Sequence, residues 1–503
     1  MQKGMRAWLM HIGWMQATAA GFLLGIGFVV PALWWLGFIA VVWSLYCIKT
    51  AHSYTQLVKL LCTMWWIKSL CSLSWYVSIF PIQWIDIPDP LYQVFFLIFY
   101  WATSSAWLAL GVVVLAILGR FLYVQKFISE YFWYCCIPLV WLVSEVMSGV
   151  TFAIFSFGPG SIFDSYFVSL GMAGYLFGVS TLGVWLAGVE GVYGLSVLLV
   201  GTASLTLLLI EKKRFKYLLL FFVMIAVMNV WVAARPLVSS NIGVTVISVD
   251  TQFDAALLNY SEGAQIKSAR VRTAVDQAIA LNPTFVLLPE DSRYLESQYN
   301  SLYPNQAMSM FLFTHKDTES ILIDSGRHQT ENGLTVLRAN VFDGVRKKMW
   351  QFDKQYLVPQ GEYIPYLYRG IFSMAGFSEA VNAISKDSAY RPGPLLQTSS
   401  VPAYLPGLLF CFESISPTSV AQLTQKRPLP FVAHPVSHAW FHTPTILWHQ
   451  LDVMLQIQAR YSGVPIVSAG NMTTGKLYLP NGRIDSGNIL KIGDRYLLRE
   501  FKL

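Results

Sequence analysis

The sequence has few charged residues for its length, and this scarcity excludes several classes of protein. Only 13% of its 503 residues are Asp, Glu, Lys or Arg, whereas ordinary soluble domains contain about 25%. The net charge is +7 and no long basic run is present, which argues against a disordered chain or a protein that coats nucleic acid. Hydrophobic residues make up 55% of the chain, and the mean hydropathy is +0.49. The composition therefore predicts a protein that lies partly in a membrane.

The deficit of charge is confined to the first half of the chain. Residues 1–234 contain 11 Lys or Arg and 7 Asp or Glu, whereas residues 235–503 contain 24 and 21. The chain also lacks a glycine-rich phosphate loop, a heptad repeat and an internal duplication, so these patterns do not support a nucleotide-binding, coiled-coil or solenoid protein. We expect a membrane domain over 1–234 and a water-soluble domain over 235–503.

The first half contains several stretches that are apolar enough to cross a membrane. A spanning helix needs about 20 mainly apolar residues, and the sequence has seven such stretches, 11–30, 33–48, 59–80, 91–118, 131–150, 188–210 and 217–234. The first lacks a small-residue cleavage site, so we expect it to be retained. Glycine and proline interrupt 152–184, which predicts a re-entrant segment or an eighth span.

The positions of the cations predict how these spans are oriented, because cytoplasmic loops are enriched in Lys and Arg. The loops 81–90 and 151–187 contain neither residue. Ten cations lie in the segments on the other side: Lys3, Arg6, Lys49, Lys59, Arg120, Lys126, Lys212, Lys213, Arg214 and Lys216. With the N-terminus inside and seven spans, the soluble domain lies on the outer face of the membrane.

Three ionisable residues interrupt the apolar stretches. Lys68, Glu145 and Glu190 lie within or at the edges of predicted spans, where a charge is costly and usually faces protein or water. They indicate either an interfacial position, a hydrogen bond between helices or a functional site.

The second half has the alternating pattern of an α/β domain. Residues 242–249 predict a strand, 264–281 an amphipathic helix, and 285–288 a buried strand. Further strand-like pieces lie at 310–314, 320–324, 334–340, 405–410 and 464–468, with a helix over 447–455. The pattern predicts a mixed sheet, or paired sheets, covered by helices.

Cysteine usage marks one candidate nucleophile. Five of the six cysteines lie in the apolar half, and Cys411 has no partner in the exported half. An unpaired thiol in an oxidising compartment is either an inert buried residue or a functional one. Cys411 follows an apolar strand, and Glu290 follows another, so we expect both at the edge of the sheet where sites collect. Glu290 could be the base that a thiol nucleophile requires.

Three segments together resemble a known superfamily. The segment "FVLLPE" ends in Glu290, "FDKQYLVPQGEYIP" contains Lys354 and Glu362, and "GLLFCFE" contains Cys411. They resemble the signature segments of the carbon-nitrogen hydrolase (nitrilase) superfamily, and the middle one is similar to that of apolipoprotein N-acyltransferases. The resemblance implies a polytopic α-helical membrane domain joined to a nitrilase-like αββα sandwich outside the cytoplasm.

The same resemblance implies a reaction. Cys411 would take an acyl group from a phospholipid as a thioester and pass it to the N-terminal amine of a diacylated apolipoprotein, at the outer face of a bacterial cytoplasmic (inner) membrane. Glu290 would act as general base and Lys354 would stabilise the oxyanion. Glu362 and Glu413 would support the site, and no metal or other cofactor is implied.

The chain departs from the family pattern beside the nucleophile and in the loop 434–445. Phe412 stands where a tyrosine is usual, and His442 stands where a glycine is usual. We expect 434–445, with Trp440 and Phe441, to form a mobile apolar flap over the site, the alternative being an ordinary surface loop. His434, His438 and His442 are spaced as metal ligands on a helix would be, but Pro435 and Pro444 favour pocket or surface histidines.

Two other functions remain open on the sequence alone. A membrane-tethered amidase would use the same thiol but accept water in place of an amine. A receptor or transporter subunit would use the outer domain for binding without catalysis.

Overall fold

Polar residues begin several of the long apolar helices of the first half. The computed structural model describes residues 2–82, 89–125, 129–161, 168–234, 243–258, 261–299, 304–315, 318–379, 381 and 390–503. The side chains of Ser53, Asp89, Ser129 and Ser180 each accept a hydrogen bond from a backbone N–H in the first turn of the helix that follows. Such caps satisfy N–H groups that the helix leaves unpaired.

The helices of the first half are long enough to account for all seven predicted stretches. They are α1 Gln2–Val29, α2 Trp34–Thr50, α3 Tyr54–Ser72, α4 Pro90–Ala109, α5 Val112–Val114, α6 Arg120–Val124, α7 Glu130–Phe155, α8 Ala173–Phe177, α9 Thr181–Glu211 and α10 Phe215–Ala233. Short turns of 3₁₀-helix, Pro31–Leu33 and Ser74–Ile79, and a π-helical turn, Leu115–Gly119, adjoin them. Among the described residues, six helical segments can cross a membrane by length and composition, and α1 adds the shorter apolar segment Gly13–Val29.

The segment between α7 and α9 is not an eighth span in the residues that are described there. Its one helix, α8, has five residues, too few to cross the hydrocarbon core. Residues 162–167 lie outside the described residues. The helix that covers the sixth predicted stretch, 188–210, begins earlier than expected, at Thr181. It contains a break at Glu190 and Gly191, close to the predicted start.

The ionisable residues of the spans have different surroundings. Glu145 and Lys68 are buried and interact electrostatically, and the Glu145 Oε1 atom accepts a 2.6 Å hydrogen bond from the backbone N–H of Ala173. Glu145 therefore holds the start of α8 against α7, in agreement with the helix-to-helix hydrogen bond considered above. Glu190 is exposed at the break in α9.

The two ends of the helical bundle differ in chemistry. At the start of α7, the Lys49 ammonium group lies 2.9 Å from Glu130 and 2.5 Å from Glu211. Just beyond the other end of α7, the Ser156 carbonyl oxygen accepts a 2.9 Å hydrogen bond from the hydroxyl of Tyr363 in the second half of the chain. The 26 residues of α7 separate these ends by about 39 Å.

The second half forms two sheets packed face to face. Its strands are β1 Thr245–Thr251, β2 Phe285–Leu287, β3 Ile321–Gln329, β4 Thr335–Asp343, β5 Lys348–Asp353, β6 Gly407–Leu408, β7 Val432–Ser437, β8 Ile466–Asn471, β9 Leu477–Tyr478, β10 Ile484–Asp485, β11 Asn488–Gly493 and β12 Tyr496–Lys502. One sheet has the order β11-β12-β1-β2-β3-β4-β5 and the other β6-β7-β8-β9-β10, and one pair, Thr251 with Asn471, joins them.

Helices cover the outer faces of both sheets. They are α11 Ala255–Leu258, α12 Ser261–Ala280, α13 Tyr294–Tyr299, α14 Pro304–Thr314, α16 Ser419–Lys426 and α17 Thr445–Ser462. The remaining helix, α15 Tyr366–Met374, packs against α4 of the first half. The core between the sheets includes Phe285 and Phe431, whose rings are 5.0 Å apart. Other clusters pack α12 and α14 on the first sheet and α16 and α17 on the second. The expected αββα sandwich is confirmed.

Helix α17 packs between the second sheet and the bundle of membrane helices. Leu455 and Ala459 of α17 face the second sheet, whereas Leu447, Leu451 and Met454 belong to the apolar cluster of the membrane helices. Both faces of α17 are therefore buried, and the second sheet lies directly above the bundle.

Several predicted strands need correction. Residues 310–314 are helical and end α14, where Phe311 is buried but Met310 and Phe313 are exposed, a spacing that suits a helix. The strands predicted at 320–324 and 334–340 extend to Gln329 and Asp343, and that at 405–410 shrinks to Gly407–Leu408. The predicted domain boundary, between residues 234 and 235, adjoins residues 235–242, which lie outside the described residues.

Candidate active site

Three chemically reactive side chains follow strands that run in the same direction. Glu290 lies after β2, Lys354 directly after β5 and Cys411 after β6. Strands β1, β2 and β3 are parallel, as are β6, β7 and β8, and β5 runs with β3 because each is antiparallel to β4. Their carboxyl ends meet at one edge of the sandwich, where α/β sheets commonly carry their sites.

The Lys354 side chain lies between two carboxylates. Its Nζ atom is 2.9 Å from Glu290 Oε1 and 2.8 Å from Glu362 Oε1. Lys354 is only 1% exposed and both glutamates are buried. An ammonium group is stable in such a place only if carboxylates replace its water. One positive and two negative charges therefore share a dry site.

This excess of negative charge sets the protonation of the site. Burial would lower the pKa of Lys354, but the charges of Glu290 and Glu362 raise it well above its usual range, so it stays an ammonium group. Burial raises the pKa of Glu290 to about 7, against the attraction of Lys354. Glu290 can thus exchange a proton near neutral pH, which a general base requires.

Glu362 holds the turn that contains it. Its Oε2 atom accepts a 2.8 Å hydrogen bond from the Val358 N–H, and its own N–H donates to the Val358 carbonyl at 2.9 Å. Gln360 within the turn has a φ of +68°. The carboxylate that pairs with Lys354 is therefore fixed by its own backbone.

Cys411 opens a short 3₁₀-helix, Cys411–Ile415, at the end of β6. Its Sγ atom lies 3.9 Å from the Ser437 carbonyl oxygen, and the charges of Glu290, Lys354 and Glu362 all act on it. Burial, and then the charge of Glu290, raise the pKa of the thiol well above its usual range. The thiol therefore needs a base to become a nucleophile.

Glu413 joins the nucleophile's turn to the lysine's loop. One carboxylate oxygen accepts from the Phe410 N–H at 2.8 Å, and the other accepts from Gln355 at 2.8 Å and Tyr356 at 3.3 Å. Phe410 precedes Cys411, and Gln355 follows Lys354. This buried carboxylate thus fixes the separation of the thiol and the ammonium group, and burial raises its pKa.

Aromatic residues line the side of the site that faces the bundle. The Trp440 ring lies so close to Gly361 that a Cβ atom there would collide with it. Phe441 packs edge-on against Trp75 of the first half, with ring centroids 5.6 Å apart, and Phe412 also contacts the cluster of the membrane helices. Phe412 and Phe441 therefore join the site to the membrane helices, and Trp440 packs on the turn that contains Glu362.

The predicted flap over 434–445 needs a partial correction. Residues 434–437 are not a loop, since they belong to β7, which pairs with β8 along its length. The irregular part is shorter, 438–444, and contains Trp440 and Phe441. Its mobility stays a prediction.

The three histidines of this segment do not converge on one point. His434 and His438 are buried next to the site, whereas the His442 Nε2 atom is 3.1 Å from the Pro81 carbonyl oxygen at the surface of the bundle. Among the described residues, no group of His, Cys, Asp and Glu is arranged to hold a metal ion.

The nucleophile's turn is also attached to the bundle. The Ser169 hydroxyl and N–H donate to the Ile415 carbonyl oxygen at 2.5 and 3.2 Å, and the Gln458 side chain of α17 donates to Ser414 at 2.6 Å. The Gln360 side chain accepts from Tyr76 and donates to Ser104 of the bundle. The sequence patterns gave no indication of these contacts, since they join segments far apart in the chain.

Comparisons with known proteins give a fold-level likeness. No protein-family model and no curated protein matches the chain. Among solved structures, a carbon-nitrogen hydrolase from Helicobacter pylori G27 is 12% identical, with 51% of this chain and 88% of that chain covered and a TM-score of 0.34. An amidase from Nesterenkonia sp. is 16% identical, with 53% and 93% covered and a TM-score of 0.32.

A third similar structure is a glutamine-dependent NAD+ synthetase from Acinetobacter baumannii. It is 15% identical, with 52% of this chain and 46% of that chain covered and a TM-score of 0.34. At these identities and scores the chemistry of the present chain rests on its own side chains.

We expect Glu413→Gln to loosen the turn that carries Cys411. The amide would keep one oxygen acceptor but point an NH₂ group at backbone N–H donors, and a hydrogen bond to a charged group contributes about 1.5–3 kcal/mol. The free energy of unfolding in detergent should fall by about 3 kcal/mol. The matched control is Glu296→Gln, an exposed residue 4.0 Å from Arg293. Equal stability of the two variants would show that Glu413 does not fix this turn.

Proposed function

We propose that the chain is a membrane-embedded acyltransferase that moves an acyl group from a phospholipid to the N-terminal amine of a diacylated apolipoprotein, through a thioester on Cys411. The observation that carries the proposal is the buried Lys354 ammonium group, held between Glu290 and Glu362 within electrostatic range of a thiol. The resemblance of the three sequence segments supplies the identity of the two substrates.

The first half-reaction forms the thioester. Glu290 takes the thiol proton, and the Cys411 sulfur attacks the carbonyl carbon of the phospholipid ester. The oxyanion of the tetrahedral intermediate lies beside Lys354, whose fixed positive charge stabilises it. The intermediate collapses, the C–O bond breaks, and the leaving lysophospholipid oxygen takes the proton from Glu290.

The second half-reaction uses the same groups in the opposite order. The amine of the acceptor attacks the thioester carbonyl, and Glu290 takes a proton from the attacking nitrogen. The new oxyanion again lies beside Lys354, and collapse breaks the C–S bond. The thiolate recovers its proton from Glu290, and the product is an amide. A ping-pong reaction of this kind is typical of covalent catalysis.

The contacts of the site with the bundle support lipid substrates. Phe412 and Phe441 adjoin the apolar cluster of the membrane helices, and Gln360 of the Glu362 turn bonds to Tyr76 and Ser104. Drawing an acyl chain into water costs about 0.8 kcal/mol of free energy for each CH₂ group that is exposed. A site that adjoins the bilayer avoids this cost.

The distribution of charge supports the proposed orientation. The cations Lys49 and Lys212, which pair with Glu130 at the start of α7, lie at one end of this helix, and the residues that contact the sandwich lie at the other. We propose a membrane domain over 1–234 and a hydrolase-like domain over 235–503, with the sandwich on the periplasmic or outer face of a bacterial inner membrane.

Purified protein, phospholipid and a diacylated lipopeptide provide the test of the reaction. We expect N-acylated lipopeptide and lysophospholipid in equal amounts, none with Cys411→Ser, and a loss of about 10²–10³-fold in kcat with Lys354→Met, the effect of removing one oxyanion donor. Lys476→Met is the matched control, because that lysine pairs with Asp452 outside the site at 2.6 Å. Free fatty acid without acylated lipopeptide would favour the amidase-like alternative, and no turnover of either lipid would favour a binding protein.

We expect the rate of thioester formation to depend on the protonation of Glu290. Because burial raises the pKa of Glu290 to about 7, the carboxylate is available above that pH and is lost below it. The rate should therefore rise from about pH 6 to about pH 8, as measured by rapid quenching and mass spectrometry. The Glu290→Gln variant should form the thioester slowly, and its rate should not show this rise with pH. A step that survives in Glu290→Gln would assign the titration to another group.

Labelling with a membrane-impermeant maleimide tests the orientation. In a chain without its native cysteines, we expect Lys426→Cys, an exposed position on α16, to react in intact cells. Lys213→Cys, exposed between α9 and α10, should react only after the membrane is opened. The reverse pattern would overturn the proposed orientation without affecting the chemistry.

A further inference from the structure

Two buried histidines adjoin the nucleophile and have no part in the reaction described above. His434 lies on β7 and His438 directly follows it, and the two are 1% and 2% exposed. The Cys411 sulfur lies 3.9 Å from the carbonyl oxygen of Ser437, the residue before His438. His434 interacts electrostatically with Lys354 and with His438. Both histidines therefore lie beside the backbone that flanks the reacting thiol.

The tautomer of His438 is fixed by a tryptophan. The indole N–H of Trp448 donates a 2.8 Å hydrogen bond to His438 Nδ1. An indole nitrogen can only donate, so Nδ1 must carry the lone pair and Nε2 must carry the proton. The Nε2–H group has no hydrogen-bond partner among the described residues of the protein.

The tautomer of His434 is the same, but the atom that it leaves unpaired is the other ring nitrogen. Its Nε2 atom lies 3.4 Å from the Cys411 carbonyl oxygen, which can only accept, so Nε2 carries the proton. Its Nδ1 atom is left as an acceptor, and it too has no partner within the described part of the chain. Buried polar atoms are almost always paired in native proteins. One donor and one acceptor are therefore left unpaired on histidines that adjoin the nucleophile's backbone.

The charge of the pair limits what it can bind. Burial lowers the pKa of His434 to about 4 and that of His438 to about 3, so both are neutral near pH 7. Neutral rings are poorly suited to a phosphate group, which pairs best with a cation. A neutral group that both donates and accepts matches the pair, and an amide is such a group.

The two proposed substrates differ in this respect. The acyl esters of a phospholipid have oxygen acceptors but no N–H, so they could pair with His438 but not with His434. A peptide acceptor has an amide next to its N-terminal residue, close to the amine that attacks the thioester. The acceptor, and not the acyl donor, therefore satisfies both histidines.

We propose that His438 and His434 form a subsite for the first peptide amide of the acyl acceptor, with His438 Nε2–H donating to its carbonyl oxygen and His434 Nδ1 accepting from its N–H. Trp448 acts as a positioning residue, since it holds His438 as the donor. The inference rests on the proposed acyltransferase function and adds a reason for the choice of a peptide acceptor over water.

Two acceptors that differ in one atom test this subsite. One is a diacylated lipopeptide, and the other is its depsipeptide, in which an ester oxygen replaces the first peptide N–H. With the full chain and phospholipid, we expect the KM for the depsipeptide to be about tenfold higher, as for one lost hydrogen bond, with kcat changed less.

Variants assign the two ends of the amide. In His434→Phe the two acceptors should have equal KM values, and in His434→Gln, whose amide oxygen can accept, the preference should return in part. Trp448→Phe should raise both KM values and keep their ratio, because it removes the constraint on His438 alone. His449→Gln, an exposed neighbour on α17, is the matched control and should keep the ratio of the unmodified protein.

The outcomes separate the subsite from the reaction. Equal KM values for the two acceptors in the unmodified protein, with a thioester present on Cys411, would refute the subsite and leave the acyltransferase function intact. The subsite would also be refuted if the ratio of the two KM values in His434→Phe equalled that of the unmodified protein. Absence of any thioester or transfer in the unmodified protein would refute the proposed function and the subsite together.

Discussion

The site depends on one buried ammonium group that is held between two carboxylates. Removing Lys354 from water is costly, and Glu290 and Glu362 offset that cost at 2.9 and 2.8 Å. The lysine thereby ties the end of β2, the end of β5 and the turn that contains Glu362 to one point. With the second carboxylate the buried site has a net negative charge. Burial and the charge of Glu362 raise the pKa of Glu290, so that it exchanges protons near neutral pH.

The nucleophile is brought to this charged group by separate interactions. Glu413 accepts from the backbone on both sides, at Phe410 before the thiol and at Gln355 after the lysine. Ser169, between α7 and α8, and Gln458 of α17 hold the far end of the same 3₁₀-helix, and Glu145 in turn holds the start of α8. The thiol is thus positioned by the sandwich and by the membrane helices together.

Much of the architecture could be predicted from the sequence because its signals are local. Apolar stretches fall on helices, the amphipathic stretch from residue 264 falls on α12, and Glu290 and Cys411 follow strands as expected. The prediction of a strand over residues 310–314 is wrong because a short apolar run has no clear period. Within it only Phe311 is buried, whereas Met310 and Phe313 are exposed, and this spacing suits a helix.

Strand β7 escaped prediction for a different reason. It contains Pro435, between His434 and Val436, and a proline normally argues against a central strand. Its partner β6 pairs only with Val432 and Ala433, so the proline lies where one side of β7 has no neighbouring strand. The sequence pattern around His434 and His438 indicates only metal ligands or pocket and surface histidines, because the contacts of these residues with Cys411 and Trp448 are tertiary.

The mass of the intact protein after incubation with phospholipid alone, without any acceptor, tests the central claim most directly. If the thiol is activated beside the lysine and its two carboxylates, the protein gains the mass of one acyl chain, hydroxylamine removes it, and the modified peptide contains Cys411. An unchanged mass, or an acyl group on any other residue, would contradict the account.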